Sequence, residues 1–175
     1  SLSVPALELL PKPDWTGGLQ AVWRPGEAAA QRQWAEFLHG GLEKYGRTRD
    51  RPAVAGTSRL SPHLHFGEIS LRQMWHELKA WMQKRGVGGQ VWRESAFLRE
   101  LGWREFAQYL LFHFPHAPTN PLRSEWNHFP WREDRRALRA WQRGLTGYPI
   151  VDAGMRELWA TGWMHNRVRM IVASF

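Results

Sequence analysis

The sequence contains no cysteine, and this absence excludes several kinds of site at once. A disulfide scaffold, a thiol nucleophile and a cysteine-ligated zinc or iron–sulfur centre all require at least one thiol. Long hydrophobic runs are also missing, because no apolar stretch approaches the ~20 residues that a membrane-spanning helix needs. Since 43% of its 175 residues are hydrophobic, the chain has enough apolar side chains for a packed core and is not predicted to be disordered.

Acidic residues are the scarcer of the two charged classes. The sequence has 24 Lys and Arg against 16 Asp and Glu, so its formal net charge is +8 at pH 7. It also has 12 Trp, more than a core of this size requires. Cations that meet phosphates and flat rings that stack on bases are typical of nucleic-acid-binding proteins. A tryptophan-rich helical core with a solvated basic face explains the same composition, so composition alone leaves both interpretations open.

Helical periodicity recurs along most of the chain, and no stretch alternates as a strand does, so we predict an all-α fold. Residues 1–26 are rich in proline and glycine without sustained periodicity, and we interpret them as a linker or extended arm. Helical signals then cover 28–45, 61–67, 70–86, 91–113, 134–144, 149–162 and 165–175. The last of these is apolar from 168 to 175 and has no stop signal. It therefore indicates a truncated sequence and an open face through which a homo-oligomer could form.

Two helix starts have clear capping signals. Ser61 followed by Pro62 resembles an N-cap with proline at the first helical position. Ser70 and Gln73 have the spacing of a capping box. The apolar stripe predicted for the helix after Ser70 consists of Leu71, Met74, Trp75, Leu78 and Met82.

A cluster of small hydroxyl residues precedes the helix predicted at 61–67. Thr57, Ser58 and Ser61 surround an arginine in this cluster. Hydroxyls and unpaired backbone N–H groups at a helix start can hold a phosphate. Clusters of Ser and Thr more often only cap a helix, so the pattern by itself is a weak indication.

The predicted helix 91–113 presents an unusual combination of side chains. Glu100, Trp103, Arg104 and Ala107 have the spacing of one helix face, so a carboxylate, an indole and a guanidinium lie side by side. This set could stack on a planar ring, hydrogen-bond its edge and hold an anion. A surface ion pair between Glu100 and Arg104 explains the same spacing. An apolar row on this helix is predicted to face a core: Trp103, Phe106, Leu110 and Phe114.

A third candidate segment joins the last two predicted helices. Asn166, Arg167 and Arg169 fall in the first turns of the final helix, where arginines and an amide can bind phosphate and read an edge. Capping with solvated arginines is an equally reasonable interpretation. Histidine pairs at 63/65 and 113/116 lack further ligands at metal spacing, so no metal site is predicted.

Three motifs together resemble the DNA photolyase/cryptochrome family, and specifically its FAD-binding helical domain. They are GTSRLSPHLHFGEIS at 56–70, ELGWREF at 100–106 and TGYPIVDAGMRELWATGWMHNRVRM at 146–170. Their order and spacing fit the family, and they resemble those of class I cyclobutane pyrimidine dimer photolyases. The resemblance covers about Trp23 to the C-terminus. It implies that residues 1–26 connect to an upstream antenna domain absent from this chain, and that 27–175 are the N-terminal part of the FAD-binding domain.

The resemblance implies light-driven repair of pyrimidine dimers in DNA. In that family reduced FAD passes an electron to the lesion, the dimer radical anion opens, and the electron returns. The implied partner is damaged DNA, the implied location is a bacterial-type cytoplasm, and no antenna chromophore is expected in this chain.

Site residues follow from the same motifs. Glu100, Trp103 and Asn166 resemble the catalytic lesion contacts, and Trp131 resembles the outermost tryptophan of an electron-transfer chain. The implied FAD contacts are Tyr45, Thr57, Ser58, Arg59, Leu60 and Ser61. The implied DNA contacts are Arg49, Glu100, Trp103, Arg104, Asn166, Arg167 and Met170. Arg169 is expected to be internal, paired with an acidic residue beyond this chain.

The resemblance leaves two further functions open. A cryptochrome-type photoreceptor shares the same motifs. A non-enzymatic helical fragment that binds DNA weakly without FAD is the second alternative, because the family continues past Phe175 with the rest of the flavin pocket. In the family that portion holds acidic flavin contacts and the two inner tryptophans of the electron chain. Phe97 also stands where some relatives have a tryptophan.

Overall fold

All regular elements in the part of the chain described by the computed structural model, residues 4–89 and 94–175, are helical, as the all-α prediction requires. The α-helices, in chain order, are α1 (Gly17–Val22), α2 (Glu27–Glu36), α3 (Leu42–Thr48), α4 (Ser61–His65), α5 (Leu71–Lys84), α6 (Ala96–His113), α7 (Arg135–Arg143), α8 (Pro149–Thr161) and α9 (Asn166–Ala173). A π-helical turn, Phe37–Gly41, joins α2 to α3, and 3₁₀ turns cover Val4–Leu7 and Ser124–His128. The predicted start of the long helix near Val91 lies outside the described residues.

The chain divides into two compact units. The first unit consists of residues 25–133 and contains α2 to α6. The second consists of residues up to 24 together with 134–175, and it contains α1 and α7 to α9. Each unit has its own cluster of buried apolar side chains.

The core of the unit 25–133 is built around an indole. Trp34 of α2 is buried and stacks on Phe97 of α6, with ring centroids 5.7 Å apart. Its Nε1–H donates to Glu77 Oε2 of α5 at 2.7 Å, so the polar atom of this buried ring is satisfied. Met74 and Leu78 of α5 are fully buried beside it, and each contributes about 1.5–3 kcal/mol by leaving water. These contacts fix α6, which carries part of the candidate site.

Capping predictions are confirmed in part. Ser70 Oγ accepts from the Gln73 backbone N–H at 3.1 Å and so caps α5, but the Gln73 side chain donates to Glu77 Oε1 at 3.0 Å and does not complete the predicted capping box. Helix α4, however, has Leu60 as its N-cap, so Ser61 is the first helical residue and not the cap. In α5 the predicted stripe is buried at Met74, Leu78 and Met82, whereas Trp75 is exposed and Trp81 is buried in its place.

The segment predicted as a linker or arm contains a helix in its described part, Gly17–Val22. Helix α1 packs on α8 within one unit, and Trp23 Nε1–H donates to the Thr161 carbonyl oxygen at 2.7 Å. A Cβ at Gly18 would overlap the Ala160 carbonyl oxygen, so the absence of a side chain permits this close approach. Six residues are too few for a recognisable period, and tertiary packing rather than propensity stabilises such a short helix.

The C-terminal helix is covered on one side only. Val168 and Val172 of α9 are buried against Val151 and Met155 of α8 and against Met164. The helix ends at Ala173, two residues before the predicted end. Its other side leaves Met170 and Ile171 exposed, and Phe175, which follows the helix, is exposed as well. The predicted apolar face is thus half occupied by the chain itself, and oligomerisation through the remainder stays a prediction.

Candidate functional site

The hydroxyl-rich segment is held against two helices of the unit 25–133. A Cβ on Gly56 would lie 2.6 Å from Thr48 Cβ, so only glycine allows this approach to the C-terminal end of α3. Gln33 Nε2 of α2 donates to the Ser58 carbonyl oxygen at 2.7 Å. The Leu60 side chain is buried in the core, which leaves only its backbone for the predicted cofactor contact. The segment therefore has fixed anchors at its beginning, middle and end.

Three hydroxyls of this segment are available to a ligand. Within the described residues, the side chains of Thr57, Ser58 and Ser61 form no hydrogen bond with protein. Arg59 between them has φ +52°, a left-handed conformation that costs a non-glycine residue about 1–2 kcal/mol. An anchored segment with unpaired hydroxyl donors suits an anion with several oxygens.

Tyr45 of α3 is a core residue as well as a predicted FAD contact. Its ring meets Phe37 and Phe97 edge-on, with centroids 5.7 and 5.3 Å away. Burial raises the pKa of its phenol, and the nearby positive charge of Arg49 opposes this effect. The phenol is therefore neutral at physiological pH.

Glu100 of α6 forms an ion pair that sequence spacing did not indicate. Its Oε1 lies 2.6 Å from Nη1 of Arg49, the C-cap residue of α3, and not beside Arg104. The alternative of an i,i+4 pair with Arg104 is therefore wrong. Burial acts to lower the pKa of Arg49, but its hydrogen bond to Glu100 and the nearby negative charges outweigh burial and raise it. The predicted contact of Arg49 with a DNA phosphate stays a prediction. In this structure the Arg49 guanidinium pairs with Glu100.

Trp103 projects into solvent one turn after Glu100. Its side chain is 64% exposed, and its ring meets Phe106 edge-on at 5.8 Å. Arg104 forms no ion pair with any described residue. The apolar row of α6 is exposed at Trp103, Phe106 and Phe114, so the prediction that it faces a core is wrong for this chain. The helix buries its first turns at Phe97, Leu98 and Leu101 instead.

Trp131 lies at the end of the same unit and is 80% exposed. Its ring centroid is 4.6 Å from that of Phe129, and Phe129 in turn is 6.0 Å from Trp126. An indole so accessible can exchange electrons with a solution partner, as the predicted outermost position requires. Its role in electron transfer stays a prediction.

The third candidate segment lies in the other unit, at the start of α9. His165 is the N-cap, and its Nδ1 accepts from the Arg167 backbone N–H at 3.1 Å. Arg167 Nη1 lies 3.5 Å from the sulfur of Met170, and both Asn166 and Met170 are exposed. Arg169 is exposed in this chain and donates to the Met164 carbonyl oxygen at 3.4 Å, and its expected pairing with an acidic residue beyond this chain stays a prediction.

His165 is a feature that sequence reasoning missed. The residue is 2% exposed, and its Nε2 has no hydrogen-bond partner among the described residues. Because Nδ1 accepts a hydrogen bond, Nε2 must bear the proton, and an unpaired buried donor costs about 1–3 kcal/mol. Its position inside the motif at 146–170 was the only available signal.

Residues 4–89 and 94–175 contain neither a candidate metal centre nor a membrane-spanning helix. No three His, Asp or Glu side chains there lie together in a way that could hold a metal ion. None of the helices there is both long enough and apolar enough to cross a membrane.

Comparison with known proteins points to one family. Residues 97–175 match the model of the FAD binding domain of DNA photolyase. The chain is 48% identical over 169 residues to a deoxyribodipyrimidine photo-lyase of Agrobacterium fabrum, covering 96% of this chain and 34% of the relative. It is 42% identical over 161 residues to Cryptochrome-1 of Arabidopsis thaliana, covering 90% of this chain and 24% of the relative.

A solved structure is similar along the whole chain. The bacterial class III photolyase from Agrobacterium tumefaciens matches with a TM-score of 0.89 and 46% identity, over 100% of this chain and 36% of that one. The sequence motifs resemble class I, whereas this solved structure is a class III photolyase. The similarity therefore supports the family and does not support the assignment to class I. The chain spans about a third or less of the length of these relatives.

Proposed function

Because the chain belongs to the DNA photolyase/cryptochrome family, we propose that it forms part of a flavoprotein that repairs cyclobutane pyrimidine dimers in DNA with light. The observation that carries the proposal is the exposed indole of Trp103 next to the Glu100 carboxylate, which Arg49 holds from behind. An apolar ring and a fixed acceptor side by side suit a base that has left the helical stack.

FAD fits the residues of the hydroxyl-rich segment. Thr57, Ser58 and Ser61 carry donors without protein partners, and these would hold the diphosphate together with the adjacent backbone. Arg59 adds a positive charge to the segment, and Tyr45 lies one turn before Thr48, on which Gly56 packs. When bound in its reduced form, FAD supplies the electron released by absorption of blue light.

In this proposal the side chains of α6 bind the lesion. Trp103 stacks on the flipped pyrimidines, and stacking of this kind contributes about 1–3 kcal/mol per base. Glu100 accepts a hydrogen bond from the base edge and so fixes its orientation. Arg104 meets a nearby phosphate, because no carboxylate of the described chain competes for it.

The remaining predicted residues belong to the same proposal. Asn166, Arg167 and Met170 contact DNA from the start of α9, where the amide, guanidinium and thioether are grouped within two helical turns. Trp131, exposed to solvent, is the entry point for electrons.

Flavin absorption tests the cofactor half of the proposal. The purified chain is mixed with FAD, unbound FAD is removed by gel filtration, and the absorption of the protein in the blue region of the spectrum is measured. We expect at most weak flavin retention by this chain, and Ser58→Ala combined with Ser61→Ala should weaken it further. A chain that retains flavin contradicts the inert-fragment alternative, whereas a chain that stays colourless at every FAD concentration assigns the light-driven activity to the parent protein only.

Repair under blue light tests the catalytic half. The flavin-loaded chain is reduced and illuminated with an oligonucleotide containing one dimer, and restored pyrimidines are counted per absorbed photon. Glu100→Ala should lower this yield more than it weakens DNA binding. Glu105→Ala on the same helix is the matched control and should leave the yield unchanged. An unchanged yield for Glu100→Ala counts against the assigned role.

A cryptochrome-type photoreceptor is the second candidate function, and the 42% identity to a plant cryptochrome favours it. The same two assays separate it from repair. Retained flavin with no preference for damaged DNA and no repair would favour the photoreceptor.

A further inference from the structure

Arg49 is surrounded by partners within its own unit. Its Nη1 lies 2.6 Å from Glu100 Oε1, and its Nε lies 3.5 Å from Asp50 Oδ1. Its guanidinium carbon lies 5.3 Å from the centroid of the Tyr45 ring, over the ring face. Only 17% of the side chain is exposed. Two of the three guanidinium nitrogens, Nη1 and Nε, and the flat face of the group thus meet protein groups.

The two carboxylate oxygens of Glu100 differ in their hydrogen bonding. Oε1 is held by Arg49, whereas Oε2 forms no hydrogen bond with any described residue, and the side chain is 36% exposed. One oxygen is therefore fixed from behind, and the other is left as an acceptor beside the exposed ring of Trp103. An acceptor oriented in this way loses little side-chain entropy when a ligand donates to it.

We propose that Arg49 is a positioning residue that orients Glu100, and that Arg104, and not Arg49, contacts a DNA phosphate. The inference rests on the proposed function. Moving Arg49 to a phosphate would break its short bond to Glu100 and leave a partly buried carboxylate unpaired. The Asp50 carboxylate beside Arg49 would also repel the incoming phosphate.

Salt dependence of DNA binding separates an orienting arginine from one that meets phosphate. Each phosphate contact contributes about 0.9 to the slope of log affinity against log salt. Binding is measured in the dark to a duplex with one dimer and to the same duplex undamaged, over a range of salt concentrations. Arg49→Met should lower the preference for damaged DNA roughly 10- to 100-fold, as expected for a lost charge-assisted hydrogen bond, and leave the slope unchanged.

Arg104→Met is the matched control. It should weaken binding to both duplexes equally and reduce the slope by about 0.9. Glu100→Gln should reproduce the loss of preference, and the double variant Arg49→Met with Glu100→Gln should be no worse than either single variant, because both act through one interaction. Arg49→Lys keeps the charge and should restore part of the preference.

The outcomes that overturn the inference differ from those that overturn the proposed function. An Arg49→Met slope reduced by about 0.9, with equal losses on both duplexes, makes Arg49 a phosphate contact and refutes the inference. Thermal unfolding without DNA is measured for the unsubstituted chain, Arg49→Met, Glu100→Gln and the double variant. The melting-temperature shifts of the two single variants should not add up to that of the double variant, and additive shifts also refute the inference. If the unsubstituted chain does not prefer damaged DNA while those shifts are non-additive, the proposed function fails and the ion pair remains. If Arg49→Met does not fold, Arg49→Gln, which also removes the charge, serves for both measurements.

Discussion

Gly56→Ala should damage the anchor of the hydroxyl-rich segment. The added Cβ would lie 2.6 Å from both Cβ and Oγ1 of Thr48 and 2.8 Å from its backbone carbonyl carbon. Real Cβ atoms do not approach so closely, and two of these three atoms cannot rotate away. Forced overpacking of this kind costs about 1–3 kcal/mol. For a chain of this length that free energy corresponds to a melting temperature lower by about 2–12 °C.

Thermal unfolding followed by circular dichroism measures the shift. The matched control is Gly46→Ala on α3, where a Cβ would have nothing within 4 Å, so the better helix propensity of alanine should stabilise the protein by up to about 1 kcal/mol. Flavin retention should fall for Gly56→Ala and stay constant for Gly46→Ala. A Gly56→Ala protein that melts with the unsubstituted one would refute the close approach of the segment to α3.

Two further substitutions test the packing of each unit. Glu68 accepts from His63 Nδ1 at 2.5 Å and from the Gly26 N–H at 2.7 Å, and these hydrogen bonds hold its pKa below the ordinary 4.5. A carboxyl with a lowered pKa stabilises the fold above pH 4.5, and this stabilisation is lost as the pH falls through the folded-state pKa. Glu68→Gln should therefore make the stability fall less steeply as the pH is lowered. An unchanged dependence on acid pH would contradict the hydrogen bonds of Glu68 to His63 and Gly26. In the other unit, a Cβ on Gly154 would lie 2.5 Å from Val168 Cγ1, so Gly154→Ala should cost about 1–3 kcal/mol in chemical denaturation, and an unaltered midpoint would refute the close packing of α8 on α9.

Helix ends in this chain were predictable wherever a local hydrogen bond or a special backbone angle determines them. Asp134 Oδ1 accepts from the N–H groups of Arg136 and Ala137, and this caps α7. Gly144 and Gly162 end α7 and α8 at φ +62° and +69°, the left-handed conformation that glycine adopts without strain. These signals lie within four residues of the boundary, so no knowledge of tertiary structure was needed.

The buried faces of the helices were harder to predict, because some helices have apolar residues around their whole circumference. Helix α6 has large apolar side chains on every side, and periodicity cannot choose a face when there is no polar side to contrast with it. The prediction therefore placed the row through Trp103 in a core, whereas the structure buries Phe97 and Leu101. Tertiary contact with α3 decides which residues of α6 are covered.

The ion pair at the centre of the candidate site shows where sequence reasoning ends and what replaces it. Spacing indicated Arg104 as the partner of Glu100, because an i,i+4 neighbour is the only one that a helix guarantees. The actual partner, Arg49, is 51 residues away in sequence and is brought there by the packing of α3 against α6. Because exposed i,i+4 pairs contribute only about 0.3–0.5 kcal/mol, a partly buried partner on another helix can readily displace one. The exchange leaves Arg104 without an ion-pair partner among the described residues, so the helix face of Glu100, Trp103 and Arg104 is open for the DNA contacts that we propose for it.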